Sequence, residues 1–104
     1  MSGPDLTVGR NVITEMVRLA AFEVPGVSRV GRAGPAWRSL LSGRGVTTQL
    51  SDEGVRVRLW IVARPGHPLV PLTRQVRAAV AATVERLLGM TLDSVTVTVD
   101  GVGG

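Results

Sequence analysis

The sequence contains no cysteine. That absence excludes a disulfide framework, a thiolate nucleophile and any Cys-ligated zinc or iron–sulfur site. Lysine is absent too, so all 12 basic residues are arginine; set against 8 acidic residues they give a formal charge of +4. A base composition that favours Arg, Ala, Val and Gly codons explains this set more simply than selection for phosphate-binding forks. The basicity permits attraction to nucleic acid, to an anionic leaflet or to an acidic partner without choosing among them. There is no tyrosine, and the aromatic residues are Phe22, Trp37 and Trp60. The single histidine, His67, lies between Gly66 and Pro68. A metal site would need further nitrogen or sulfur ligands, so a surface loop histidine and no metal or other cofactor are expected. Long apolar runs are missing as well. Leu59 to Ala63 and Ala78 to Val84 are each broken by Arg within a few positions, far short of the roughly 20 apolar residues of a spanning helix. The start, Met1-Ser2-Gly3-Pro4-Asp5, has neither a secretory pattern nor a glycine at position 2 for myristoylation. A cytoplasmic location is expected, with any membrane association indirect.

What is present suffices for one core. A chain of 104 residues with 44% hydrophobic content falls in the range of a single domain, and a chain of that size buries roughly two-thirds of the surface its unfolded form exposes. One domain over 1–104 is expected, with residues 1–6 and 101–104 disordered. From Asn11 to Val24 the residues Val12, Ile13, Met16, Val17, Ala20, Ala21 and Val24 recur at helical spacing. Pro25-Gly26 ends that helix, and Gly26 to Val30 is a candidate short strand. Residues 31 to 45 are rich in glycine and read as a loop. Val46 to Leu50 and Val55 to Ala63 form a hairpin about the turn Ser51-Asp52-Glu53-Gly54. A second helix is predicted from Pro71 to Leu88, with Leu72, Val76, Val80, Thr83, Val84 and Leu87 on its inner stripe. Pro71 suits its first turn and Gly89 its C-terminal cap. Ser94 to Asp100 alternates as a final strand.

Helix, short strand, hairpin, helix, strand, each apolar on one side, is the pattern of an α+β fold in two layers. The expected sheet is mixed, of three to four strands, with two amphipathic helices on one face and the other face open. A strand–helix–strand crossover would make the last strand parallel to its predecessor.

Several short boxes carry a family resemblance. They are Val12-Ile13, Ala20-Ala21, Glu23-Val24-Pro25-Gly26-Val27, Gly45-Val46, Gln75-Val76, Val84-Glu85, Gly89-Met90, and the ending from Ser94-Val95-Thr96-Val97 to Gly101-Val102. In this order they resemble the alkaline shock proteins of the bacterial envelope stress response, over nearly the whole chain. The chain departs from that pattern in the Pro-rich turn Pro65-Gly66-His67-Pro68 and in ending almost at its last strand. The resemblance implies a non-catalytic cytoplasmic protein that gathers at the inner face of the membrane through a separate membrane-anchoring partner and serves envelope homeostasis. It brings no catalytic or ligand residues.

The residues themselves offer little chemistry. Asp52 and Glu53 are adjacent carboxylates, but turn chemistry accounts for them. No serine falls in a recognisable nucleophile motif and there is no phosphate loop, so no enzymatic activity is expected. Gly31-Arg32-Ala33-Gly34 matches the GXXG pattern with which KH domains clamp nucleic-acid backbones. There the loop joins two helices, whereas here it follows a strand-like stretch and precedes Pro35. A KH-like RNA-binding module is the alternative function, and a plain flexible loop outweighs it. The most informative set is Arg56, Arg58, Trp60, Val62 and Arg64 on one side of a strand. Trp and Arg are favoured anchors of protein interfaces, which ranks that use first, a solvated face second and nucleic acid third. The expectation is an adaptor or self-associating scaffold acting through protein contacts, without direct membrane insertion.

Overall fold

A computed structural model of the chain describes residues 9–31 and 45–104. Helix α1 spans Arg10–Phe22 and buries Ile13, Val17 and Ala21, which are spaced four residues apart on one stripe. The Gly9 carbonyl accepts the backbone N–H groups of Val12 and Ile13 at its start. Val12, expected on the inner stripe, is instead 52% exposed. It precedes Ile13 by one residue, a rotation of about 100° that carries it off the buried line.

Strand β1 is Val27–Val30, β2 is Val46–Ser51 and β3 is Gly54–Ala63. Helix α2 is Leu69–Ala82, starting two residues earlier than predicted because Pro68 supplies the extended N-terminal cap position. Pro71 then falls within the first turn, where its missing N–H leaves no ladder bond unmade. From Thr83 to Leu87 the helix widens into a π-helical turn, closed by the Leu88 N–H donating to the Thr83 carbonyl at 3.0 Å. The wider turn keeps Val84 buried and rotates Leu87, predicted to point inward, out to 66% exposure. Gly89, with φ of +66°, caps the C-terminus as predicted. Strand β4 then runs from Leu92 to Val102.

The four strands form one mixed sheet, with β3 at its centre. β4 pairs with β3 in parallel along its whole length, from Val55↔Leu92 to Ala63↔Val102. On the other edge of β3, β2 lies antiparallel from Leu59 to Gly54 and β1 antiparallel from Ala63 to Ile61. β1 and β2 therefore follow one another along a single edge. Between them, at Trp60, the Trp60 N–H donates to the Gly45 carbonyl (2.9 Å) and its carbonyl accepts the Gly31 N–H (2.8 Å). The chain leaves this edge at Gly31 and rejoins it at Gly45. The end of β4 corrects the expected disorder of residues 101–104: Val102 is paired, and the Gly103 N–H donates to the Ala63 carbonyl at 2.8 Å. Parallel pairing to the full length of β3 requires that extension. Residues 1–6 lie outside the described ones.

The core sits between the helices and one sheet face. Val55, Val57, Leu59, Ile61 and Ala63 of β3 are buried against Ile13, Val17 and Ala21 of α1 and Leu72, Val76, Val80 and Val84 of α2 and its π turn. α1 packs over β1 and β2, and α2 over β4. Thr48 is the one buried polar residue among those described, and its hydroxyl pairs with that of Thr14 at 2.8 Å. Both helical stripes are thus used on the same face of the sheet, and no helix among the described residues covers the opposite face.

Candidate functional site

The sheet face opposite the described helices is built by strand alternation. Residues that flank the buried valines and leucine of β3 must point the other way, so Arg56, Arg58 and Trp60 lie on the open side. The register brings neighbours to them. Gln49 and Thr47 of β2 stand opposite Arg56 and Arg58, Ser94, Thr96 and Thr98 of β4 stand beside Arg56, Arg58 and Trp60, and Arg29 of β1 stands opposite Val62.

At the centre, the Arg58 guanidinium lies 5.7 Å from the Trp60 ring centroid. Such a cation–π pair contributes about 0.5–1 kcal/mol at an exposed site and holds both side chains in a shared orientation. Trp60 is half-buried and Arg58 exposed. Arg56 reaches across to β4, where its Nη2 donates to Asp93 Oδ2 at 3.1 Å and its Nε to the same oxygen at 3.3 Å. Two of the arginines are therefore held in place by partners on the sheet, one by a carboxylate and one by a ring.

Two members of the predicted set behave differently. Val62, grouped with the arginines and Trp60 as part of an interaction surface, is only 7% exposed. It lies in a depression shared with Ser28, Arg29, Gly103 and Gly104, and a β-bulge in β4 beside it brings Gly101 into register with it. Val62 supports the floor of the face and adds almost nothing to its contact area. Arg64 lies past the end of β3 and is exposed; its backbone N–H donates to the Gly26 carbonyl at 2.8 Å. His67, exposed as expected, is in the turn that follows.

The GXXG stretch divides. Gly31 ends strand β1 and is tied to Trp60, so the segment leaves a strand edge and does not join two helices. Arg32, Ala33 and Gly34 lie outside the described residues, as does Trp37. Asp93 and Arg29 escaped the reading of the sequence because only the register across β3 brings them to the arginine stripe. The hydroxyls of Ser94, Thr96 and Thr98 were legible as one face of an alternating strand, though not as neighbours of Trp60.

Among the described residues the assembled face offers guanidinium donors, hydroxyls and the Trp60 ring, a set suited to contact. Among the described residues no three His, Cys, Asp or Glu side chains gather in a way that could hold a metal ion. No helix among them is long and apolar enough to cross a membrane.

Three comparisons bear on this arrangement. Residues 3–103 match the model of the alkaline shock protein family, described as having a cell envelope-related function. No curated protein matches the sequence. Among solved structures, a copper form of a MamM CTD variant superposes with a TM-score of 0.65 at 17% identity, covering 89% of this chain and 98% of that one. A manganese form of another MamM CTD variant gives 0.64 at 18% identity, with 89% and 99% coverage. A zinc form gives 0.63 at 17%, with 88% and 84%. At these identities the likeness is one of fold.

Proposed function

The chain belongs to the alkaline shock protein family, with its cell envelope-related function, and on that premise we propose that it is a non-enzymatic cytoplasmic adaptor that serves envelope homeostasis through protein contacts. A membrane-anchoring partner recruits it to the inner face of the membrane, and the docking surface is the open sheet face centred on Trp60. The observation that carries this reading is the asymmetry of the two layers. Both helical stripes are spent on one face of the sheet, while the other presents Trp60 under the Arg58 guanidinium with no element over it among those described. Trp and Arg dominate the energetics of protein interfaces because they combine large contact area with directional donors. The metals named for the MamM CTD structures are not carried over, since the described residues gather no set of ligands for them.

The test is capture from solubilised membranes. The wild-type protein and a Trp60→Ala variant of unchanged thermal stability are compared as baits. The reading requires that a membrane protein bound by the wild type be lost by the variant. Equal capture by both would remove the Trp60 face from the reading, whereas binding of labelled single-stranded RNA that falls steeply with salt would put nucleic acid in the partner's place.

A further inference from the structure

Strand β4 is an edge of the sheet. It is 11 residues long, and among the described residues no strand pairs with its outer side. Proteins normally blunt such edges with lysine, proline, bulges or charge. Here the register shifts against β3 occur beside Asp93 and Asp100, which leaves Ser94-Val95-Thr96-Val97-Thr98-Val99 as a regular stretch with no charge and no proline. Its valines 95, 97 and 99 face the helical layer yet are only half-buried, and among the described residues no strand lies beyond them on that side.

We propose that the outer edge of β4 pairs antiparallel with β4 of a second copy of this chain about a two-fold axis perpendicular to the sheet. The alternation makes the strand complementary to itself, since directly opposed residues in an antiparallel pair share a face. Pairing with Val97 on the axis sets Val95 opposite Val99 of the second copy and Thr96 opposite its Thr98. It also sets Ser94, a hydroxyl donor, opposite the Asp100 carboxylate. Of the neighbouring registers, Thr96 on the axis would leave Val99 opposite Asp93 and Thr98 on the axis would leave Val95 opposite Gly101, so only Val97 on the axis sets all three valines against valines. The sequence thus favours one register, which a foreign strand would have no reason to satisfy. The half-buried valines gain a second row of valines over their open side. The axis also keeps both copies the same way up, so two Trp60 faces become one continuous surface with twice the number of docking positions. Thr96 and Thr98 border both this edge and the Trp60 face, whereas Val97 faces the helical layer, so cross-linking at Val97 reads the edge alone and either assignment can fail by itself.

Sedimentation equilibrium of the full chain tests the edge, with variants on exposed Thr96 and Thr98. The wild type is expected to approach twice the monomer mass as concentration rises. T96K/T98K sets lysine against lysine twice across the axis and should raise the dimer dissociation constant about tenfold or more. T96K/T98E makes two opposite-charge pairs and should retain the dimer. Because the chain has no cysteine of its own, cross-linking provides a second reading that does not depend on affinity. Mild oxidation should link Val97→Cys to itself on the axis, but not Val95→Cys, whose copies would lie about 13 Å apart, four residues out of register. A wild type that stays monomeric at millimolar concentration, a T96K/T98K variant as dimeric as wild type, or linkage of Val95→Cys in preference to Val97→Cys would each overturn the proposal.

Discussion

Replacing Gly45 by alanine is expected to cost the fold far more than its small size suggests. Gly45 has φ of +78°, a left-handed conformation that strains any residue with a Cβ by about 1–2 kcal/mol. The new methyl would also have nowhere to go. It would overlap the Cα of Gly31, approach the Gly31 nitrogen to 2.7 Å and lie 3.3 Å from the Val30 carbonyl carbon. These are backbone atoms, so no side-chain rotation relieves the contact; β1 and β2 must part where they meet. Both hydrogen bonds to Trp60, from the Gly31 N–H and to the Gly45 carbonyl, lie at that junction, and each contributes about 0.5–1.5 kcal/mol. Strain plus weakened bonds give a destabilisation of about 3 kcal/mol, which in a domain of this size lowers Tm by about 15 °C. Gly66→Ala is the matched control, because Gly66 also has a positive φ, +86°, but an added Cβ there meets nothing within 4 Å. Thermal unfolding followed by circular dichroism compares the two variants. If Gly45→Ala loses no more stability than Gly66→Ala, the close approach of Gly31 and Gly45 does not hold in solution and the reasoning fails.

Three further outcomes are expected. Leu87→Gln should change stability by less than about 0.5 kcal/mol, since Leu87 is 66% exposed, whereas Val84→Ala, at a fully buried position one turn away, should cost about 2 kcal/mol; a loss of about 1 kcal/mol or more for Leu87→Gln in urea titration, twice that bound, would mean that the π turn is absent. Asp93→Asn should destabilise by less than about 1 kcal/mol because its ion pair with Arg56 is largely exposed, and the difference from wild type should vanish in high salt; a larger, salt-insensitive loss in the same titration would contradict the surface character of the pair. The protein should float with anionic liposomes only weakly and only at low salt, each arginine close to the surface adding about 1 kcal/mol, because insertion would uncover the core face of β3; association that survives high salt would refute this.

Much of the architecture is legible in the sequence. Spacing of Ile13, Val17 and Ala21, alternation from Val55 to Ala63, and the breaks at Pro25-Gly26 and Ser51 to Gly54 are local signals. Both helices, the hairpin and the final strand follow from them within a few residues. The arginine stripe of β3 was legible for the same reason, since strand alternation alone puts Arg56, Arg58 and Trp60 on one side. What could not be read were the consequences of neighbours distant in sequence: Asp93 as the partner of Arg56, 37 residues away, and the burial of Val62 beside the C-terminal glycines.

The sequence by itself determined the period of each element, the face it turns to the core and the absence of cysteine chemistry, because these depend on residue type and on spacings of two or four positions. Tertiary structure alone decided the register of β4 against β3, the meeting of Gly31 and Gly45 at Trp60, the π turn that expels Leu87 and the ordering of the chain as far as Gly103. Each of these is set by a hydrogen bond or packing contact between segments that approach one another only after the core has formed, and a local pattern carries no record of the distance between them.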